Sequence, residues 1–235
     1  MKGKKILWLI AARGGSKSIP DKNIKILGNQ PLISYRIQSA IATQISSDIW
    51  VSTDSEKYAK IAKEFGAETP FLRPKELSND TSSSTAVVLH AMEHAKKMNK
   101  EYDYIGLLEP TSPFIKSSHL NEAINLLQEN EEALAVVAVT ESRPHKIFIQ
   151  KESKYLVELS KNLENLKDLG RQAFEKEITP SGGFYISKWD AFLEKKSFYT
   201  SKTLSFEVDE ISGVEIDEPI DWHFAEFIFK NKLND

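Results

Sequence analysis

Short apolar runs alternate with amphipathic segments along this chain, and this alternation restricts the fold more than any other feature. The apolar runs are typical of buried strands: KILWLIAA, DIWVSTD, YDYIGLLEP and ALAVVAV. Helical spacing marks the segments between them, at residues 31–43, 55–65, 84–98 and around Leu120, Ile124 and Leu127. Strand and helix in regular succession predict βαβ units, so we expect an α/β fold with a mostly parallel sheet and helices on both faces.

The pattern changes between about residues 143 and 199. The stretch SRPHKIFIQKESKYLVELS alternates like a hairpin, a polar mixed stretch follows, and TPSGGFYISKWDAFLEKKSF predicts a strand and a short helix. GVEIDEPIDWHFAEFIFKNKL then predicts a last strand and a helix, with apolar residues at core spacing: Ile220, Phe224, Phe227 and Ile228. We expect one domain over residues 1–235, with an inserted segment at about 143–199.

Composition narrows the chemistry. With 235 residues and 40% apolar content, the chain can bury one substantial core. It has no cysteine, so disulfides, thiolate metal sites and a cysteine nucleophile are excluded. The start MKGKKILWLIAAR lacks a small-residue cleavage site, and no run approaches the roughly 18 apolar residues of a membrane helix. We expect a soluble, cytoplasmic protein without a membrane partner.

Charge is distributed unevenly. The net charge is −3, yet residues 1–47 contain eight Lys or Arg and a single acid, Asp21. A local positive site fits a small polyanion such as a nucleoside triphosphate, whereas nucleic acid would require a broad basic face. We interpret Lys2, Lys4 and Lys5 as a solubilising tail, and expect no nucleic-acid partner.

The stretch IAARGGSKSIPDKNIK, residues 10–25, follows the first predicted strand. Gly14 and Gly15 allow a sharp turn that presents backbone N–H groups, and Arg13 and Lys17 add charge suited to phosphate oxygens. The spacing matches neither the P-loop nor G-x-G-x-x-G, so an exposed glycine turn with surface lysines is the alternative. Ligands of such sheets bind at the carboxyl ends of strands, which is where ARGGSK, STDS, EPTSP and EID occur.

The glycine loop and five further motifs together resemble the CMP-sialic acid synthetases, with their relatives that activate legionaminic and pseudaminic acids. The further motifs are GNQPLI at 28–33, STDS at 52–55, RP-x-x-L at 73–77, PTSP at 110–113 and RQ at 171–172. The resemblance implies a three-layer, Rossmann-like nucleotidyltransferase fold and a cytidylyltransferase that joins CMP from CTP to a nine-carbon 2-keto-3-deoxy sugar acid. It also implies Mg²⁺ and a homodimer in which the segment at about 143–199 completes the neighbouring subunit's site.

The resemblance also implies roles for individual residues. Arg13, Lys17 and Asp217 are the expected catalytic residues. For Arg73 and Ser84, an exposed arginine before a proline and a helix N-cap are the alternatives. The expected CTP-binding residues are Ala11, Ala12, Arg13, Gly14, Gly15, Ser16, Lys17, Lys22, Asn23, Arg73 and Ser84.

Two acids of GVEIDEPID are the expected Mg²⁺ ligands. Residues two apart in a strand face the same side, so Glu215 and Asp217 could both contact one ion that also binds phosphate oxygens. The family usually has Asp at both positions. The alternatives are an edge-strand charge for Glu215 and a helix cap for Asp217.

The expected sugar-side residues are Glu109, Thr111, Ser112, Lys146, Arg171, Gln172, Tyr185 and Phe198. Glu109 stands where the family commonly has Gln, and it places an acid near an anionic sugar. Either this acid is paired or the sugar differs. Arg171 is the expected bidentate partner of the sugar carboxylate.

Three other functions are compatible with the sequence. A cytidylyltransferase for the eight-carbon acid KDO is a more distant comparison, because its first loop differs. A nucleotide-sugar-dependent glycosyltransferase would use a D-x-D metal motif, and STD at 52–54 lacks the first acid. A non-catalytic nucleotide-binding module is the third.

Overall fold

The computed structural model describes residues 3–142, 148–150, 156–158 and 176–233. The predicted alternation is present in this part of the chain. Its strands are β1 Lys5–Ala11, β2 Ile26–Leu27, β3 Gln30–Pro31, β4 Ser46–Ser52, β5 Tyr104–Leu108, β6 Ala135–Ser142, β7 Phe148–Gln150, β8 Leu156–Glu158, β9 Glu177–Lys188 and β10 Thr203–Glu207. Its α-helices are α1 Leu32–Ile41, α2 Glu56–Glu64, α3 Ser84–Lys97, α4 Ser117–Glu129, α5 Trp189–Lys195 and α6 Pro219–Lys230.

The main sheet has six strands in the order β10-β6-β9-β5-β1-β4. β1 is parallel to β4 and β5, and β10 is parallel to β6. β9 is antiparallel to both of its neighbours, β5 and β6. The prediction of a mostly parallel sheet is therefore confirmed, with one antiparallel strand near its centre.

Helices cover both faces of the sheet because the buried strands carry apolar residues on both sides. In β1, Ile6, Trp8 and Ile10 pack in the same cluster as α1, α2 and α4, whereas Leu7 and Leu9 pack with α3 and α5. This period-2 division is what a fully buried strand requires. α6 packs in a third cluster with Leu27, Leu32 and Phe114.

The C-terminal part differs from the sequence prediction in two respects. Residues 214–217 form no strand, and the last strand is instead β10, which we did not predict. The predicted core residues of α6 are confirmed only at Ile228. Ile220, Phe224 and Phe227 are 72%, 50% and 53% exposed, whereas the buried residues of α6 are Trp222, Ala225 and Ile228. α6 is apolar on both faces, so its spacing alone could not identify the buried one.

The segment predicted at about 143–199 contributes to the main sheet. β7 and β8 pair as an antiparallel hairpin, as predicted, and TPSGGFYISK lies in β9, followed by the short helix α5. Lys146, Arg171 and Gln172 lie outside the described residues. Whether this segment mediates dimerisation stays a prediction. None of the helices in the described ranges is long and apolar enough to cross a membrane.

Candidate functional site

A cleft opens where β1 and β5 end. Ala11 is the last residue of β1, and Glu109 directly follows β5. Two adjoining cavities of about 390 and 160 Å³ share Ala11, Arg13 and Glu109 as lining residues. We call them the larger and the smaller compartment. The larger is also lined by Ser16, Lys17, Ser18, Ile19, Lys22, Asn23, Pro110, Thr111, Asp217 and Glu218, and the smaller by Arg73, Leu77, Asn79, Asp80, Ser82, Ser84 and Val87.

The glycine loop turns at Gly15, whose φ of +79° is in the left-handed region that favours glycine. The Gly14 N–H donates to Oδ1 of Asp54 at 2.8 Å. The side-chain amide of Asn23 donates to the Arg13 carbonyl oxygen at 3.2 Å. These two hydrogen bonds hold the loop at Gly14 and at Arg13. Because the Gly14 N–H already has a protein acceptor, the groups of the loop that suit phosphate oxygens are the side chains of Arg13 and Lys17.

Asp80 connects the two cations of the loop. Its carboxylate forms ion pairs with Arg13, at 2.5 Å, and with Lys17. Hydrogen bonds from Lys17 and Arg13 lower the pKa of Asp80. Asp80 lies on the segment between Arg73 and Ser84, and this segment lines the smaller compartment. No sequence motif indicated a role for Asp80.

Arg73 and Ser84 both line the smaller compartment. Arg73 is buried, and its backbone N–H donates to the Thr53 carbonyl oxygen at 2.7 Å. Its Nε donates to the Ser78 hydroxyl at 3.1 Å, and burial lowers the pKa of the guanidinium. It is therefore not the exposed arginine of the alternative reading. Ser84 is the first residue of α3, whereas Ser83 is the N-cap and accepts from the Ala86 N–H. The alternative that Ser84 caps the helix is wrong.

The acids of the C-terminal segment lie beside the glycine loop. Nζ of Lys22 donates to the Ile216 carbonyl oxygen at 2.7 Å and to Oδ1 of Asp217 at 3.2 Å. The Ile216 N–H donates to the Thr111 carbonyl oxygen at 2.8 Å, and the Thr111 hydroxyl donates to Glu215 at 3.3 Å. Asp217 lines the larger compartment, and Glu215 does not. These contacts, rather than a strand, hold the segment.

Glu109 is the acid on the wall between the compartments. Burial raises its pKa to about 7, with Glu215 as the second cause, while Arg73 and Arg36 act in the opposite direction. Two arginines and two carboxylates, Glu215 and Asp217, thus act on the charge of this acid. Glu109 forms no ion pair with either arginine in the described part of the chain, so the pairing of this acid stays a prediction.

Several predicted residues lie outside the cleft walls. Ala12 and Ser112 are buried, and Gly14 and Gly15 form the loop backbone without lining either cavity. The ring centroids of Tyr185 and Phe198 are 5.6 Å apart, and both rings pack in the apolar cluster that contains Leu7, Leu9 and α3. Tyr185 pairs with Leu107 of β5, two residues before Glu109, and burial raises the pKa of Tyr185.

Sequence reasoning missed three charged residues of this region: Asp54, Asp80 and Arg36. Asp54 belongs to a quoted motif, STDS, but its contact with Gly14 depends on the folded register. Arg36 occupies a core position of α1, between Ile33 and Ile37, and a charged residue in that pattern is a signal in itself.

Comparison with known proteins gives a family match. A family model described as "Cytidylyltransferase" matches residues 7–225. N-acylneuraminate cytidylyltransferase of Escherichia coli is 34% identical over 232 residues, which are 97% of this chain and 53% of that protein. This chain thus spans about half the length of that relative.

Two other relatives are similar to this chain over nearly their full length. CMP-N,N'-diacetyllegionaminic acid synthase of Legionella pneumophila is 33% identical, covering 94% of this chain and 95% of that protein. Pseudaminic acid cytidylyltransferase of Campylobacter jejuni is 32% identical, covering 96% and 97%.

Solved structures share the fold. The structure of CMP:2-keto-3-deoxy-manno-octonic acid synthetase complexed with CTP has a TM-score of 0.71 at 16% identity, covering 97% of this chain and 100% of that one. The 4-diphosphocytidyl-2C-methyl-D-erythritol synthase of Anaerococcus prevotii has a TM-score of 0.63 at 14% identity, with coverage of 97% and 100%.

Proposed function

The chain belongs to the cytidylyltransferase family, and from this premise we propose that it activates a nine-carbon 2-keto-3-deoxy sugar acid with CTP. The oxygen of the anomeric hydroxyl forms a bond to the α-phosphorus, the bond to the bridging oxygen of the β-phosphate breaks, and pyrophosphate leaves. The hydroxyl proton is released. The sugar acid is of the sialic, legionaminic or pseudaminic type, as in the names of the relatives.

One observation carries the proposal: a single cleft collects residues from four separated segments of the chain. Arg13 and Lys17 of the glycine loop, Arg73 and Asp217 line its two compartments together with Glu109. Phosphoryl-type transfer needs little covalent chemistry from a protein, and positioning and charge stabilisation supply most of the acceleration. The cleft offers both.

We place the triphosphate in the larger compartment, against Arg13, Lys17 and Lys22. The cytosine occupies the smaller compartment, where Arg73 and Ser84 can bond to its carbonyl oxygen and ring nitrogen. Ala11 bounds both compartments. Hydrogen-bonding groups that a wrong base leaves unpaired discriminate strongly, so this compartment is the one that selects CTP.

The residues present fit Mg²⁺. Oxygen ligands suit this ion, which keeps several waters and shares phosphate oxygens, so two carboxylates suffice. Asp217 lines the larger compartment. Burial raises the pKa of Glu215, and the negative charge of Asp217 is the second cause. A cation between the two carboxylates would relieve their mutual repulsion. When bound, Mg²⁺ neutralises charge on the pyrophosphate. Asp217 and Glu215 are the proposed ligands.

The sugar acid enters the larger compartment beside Glu109 and Thr111. We propose that Arg171 binds its carboxylate, together with Lys146 and Gln172. We assign Tyr185 and Phe198 to the same end, because Tyr185 pairs with Leu107, two residues before Glu109.

We also propose a cytoplasmic homodimer that uses the segment at about 143–199. The absence of cysteine suits a reducing compartment. Sedimentation equilibrium of the purified chain tests the dimer, and a monomer at all concentrations contradicts it.

The proposed reaction is tested with purified protein, Mg²⁺ and each nucleoside triphosphate in turn. The acceptors are sialic, legionaminic, pseudaminic and KDO acids, and released pyrophosphate is measured. We expect turnover with CTP and a nine-carbon acid. Turnover with KDO alone would assign the eight-carbon reaction, and CTP binding without turnover on any acid would indicate a binding module.

A further inference from the structure

Arg36 is fully buried on α1, beneath the cleft. A buried guanidinium is unfavourable unless its donors are satisfied, and burial lowers the pKa of this one to about 9. Its Nη1 donates to the Ile115 carbonyl oxygen at 2.9 Å and its Nη2 to the Gly183 carbonyl oxygen at 3.1 Å. Its Nε has no hydrogen-bond partner among the described residues. The two carbonyl oxygens therefore compensate only part of the cost of burying the Arg36 guanidinium.

The two carbonyl groups belong to the two parts of the structure that Glu215 contacts. Ile115 ends the segment that begins at Glu109 and includes Thr111, which bonds to the Ile216 N–H and to Glu215. Gly183 follows Gly182 in β9. Arg36 thus connects α1 to both the 109–115 segment and β9.

Gly182 is the contact point on β9. Its φ is +64°, and a Cβ at this position would lie 2.5 Å from Oε1 of Glu215. Glu215 therefore rests directly on the backbone of Gly182, one residue from the carbonyl that Arg36 binds. A shift of β9 relative to the 109–115 segment would move the carboxylate.

We infer that Arg36 is a positioning residue: by bridging Ile115 and Gly183 it fixes the two backbone segments that hold residues 215–217 in the cleft. The inference rests on the proposed function for its catalytic consequence. Its structural part, the dependence of residues 215–217 on Arg36, is measurable without turnover.

The test compares Arg36→Met, Arg36→Lys and Ile37→Ala. Arg36→Met removes both donors. Arg36→Lys keeps a buried cation but replaces the bidentate fork with a single ammonium group. Ile37 is the neighbouring residue of α1 and is fully buried, so Ile37→Ala controls for loss of stability alone.

The first readout is amide hydrogen exchange of peptides covering residues 211–218, referenced to β1. For both Arg36 variants we expect exchange to be faster by roughly 10-fold, as for loss of a hydrogen bond to a charged group. Ile37→Ala should leave the ratio to β1 unchanged. Wild-type exchange ratios in both Arg36 variants, or a ratio in Ile37→Ala as high as theirs, would overturn the inference.

The second readout is steady-state kinetics. A misplacement near 1 Å can cost about 100-fold, so we expect kcat of Arg36→Met to fall by about 10-fold to 100-fold with KM for CTP changed by less than about threefold. An unchanged kcat in a folded Arg36→Met enzyme would overturn the positioning role. If the wild type has no cytidylyltransferase activity, the proposed function fails, and the exchange measurement still decides the structural part.

Discussion

The three lysine and arginine side chains assigned to the triphosphate already contact oxygen atoms of the protein. Arg13 and Lys17 share Asp80, and Lys22 binds Ile216 and Asp217. When a polyanion binds, these side chains therefore exchange contacts with carboxylate and carbonyl oxygens of the protein for contacts with the ligand. Such contacts keep the cations oriented toward the cleft, and they also compete with the ligand.

Competition by Asp80 is testable with Asp80→Asn, which removes the negative charge at nearly constant size. Because exposed ion pairs are weak, we expect CTP to bind only roughly threefold to fivefold more tightly. Isothermal titration at low and high salt measures the effect, which should shrink as salt rises. Glu132→Gln, which loses an exposed pair with Lys202 instead, is the control. Weaker CTP binding by Asp80→Asn would show that Asp80 orients the two cations and does not compete.

Lys17→Ala tests the proposed role of the glycine loop in binding the triphosphate. We expect kcat to fall by about 10²-fold, since a preorganised group that stabilises developing charge is lost, while the melting temperature stays unchanged because Lys17 is largely exposed. The matched control is Lys202→Ala, also an exposed ion-paired lysine, just before β10 at the opposite end of the sheet. A Lys17→Ala enzyme within a few-fold of wild type would remove this residue from the mechanism.

Glu109 links stability to pH. Its pKa is raised from the ordinary 4.5 to about 7, so the folded protein holds a proton that the unfolded chain releases. The stability from the neutral form is complete below pH 4.5 and is lost as pH rises through 7. Gln resembles the neutral form, so Glu109→Gln should be more stable than wild type above pH 7, by on the order of 1–3 kcal/mol, and equal to it near pH 4.

Thermal unfolding in metal-free buffer at several pH values measures the Glu109 effect. A difference between Glu109→Gln and wild type that does not depend on pH would contradict it. The same variant tests sugar recognition, where we expect a changed preference among acids with little change in KM for CTP. Unchanged preference across the panel would show that Glu109 does not contact the sugar.

Secondary structure was predictable where the spacing of the apolar residues and the length of the segment indicated the same type of element. α2, α3 and α4 are long and one-sided, β1, β5 and β6 contain continuous apolar runs, and β4 has the short apolar run Ile49–Val51, so their type was clear. β10 was missed because its five residues are only partly buried. Residues 214–217 look like a strand, but their backbone bonds to Thr111 and not to the sheet.

Site residues were predictable only as far as the family motifs reached. Arg13, Lys17, Arg73 and Asp217 were placed by resemblance, and they do line one cleft. The partners Asp54 and Asp80 were not predictable, because their contacts depend on loop conformations and side-chain directions that no local sequence pattern encodes.

α6 provides a test at the scale of one element. Phe224→Lys replaces a half-exposed side chain, so we expect a change in unfolding free energy within about 0.5 kcal/mol. Trp222→Ala removes a buried ring that bonds to Glu226, and should cost about 3–5 kcal/mol. Urea unfolding measures both. The reverse order would mean that the other face of α6 is the buried one.

At the scale of the whole molecule, β9 completes the sheet. β6 and β5 are not neighbours, because β9 lies between them and bonds to both. The parallel strands before residue 143 therefore form one continuous sheet only when residues 177–188 are in place. We therefore expect folding of the glycine loop to be coupled to a part of the chain that comes some 160 residues later.

A fragment of residues 1–175 tests this coupling. It contains the whole glycine loop, Arg73 and Glu109, but we expect it to lack cooperative thermal unfolding and measurable CTP binding. Near-ultraviolet circular dichroism and titration calorimetry measure these, with the full chain as reference. A cooperative, CTP-binding fragment would contradict the coupling.

The two compartments share one partition, formed by Ala11, Arg13 and Glu109. If the base and the sugar acid occupy the two compartments as proposed, base preference and acceptor preference are not independent traits. In a directed-evolution campaign, substitutions selected for a new donor base would reshape the room left for the acceptor, so the two selections would have to be run together.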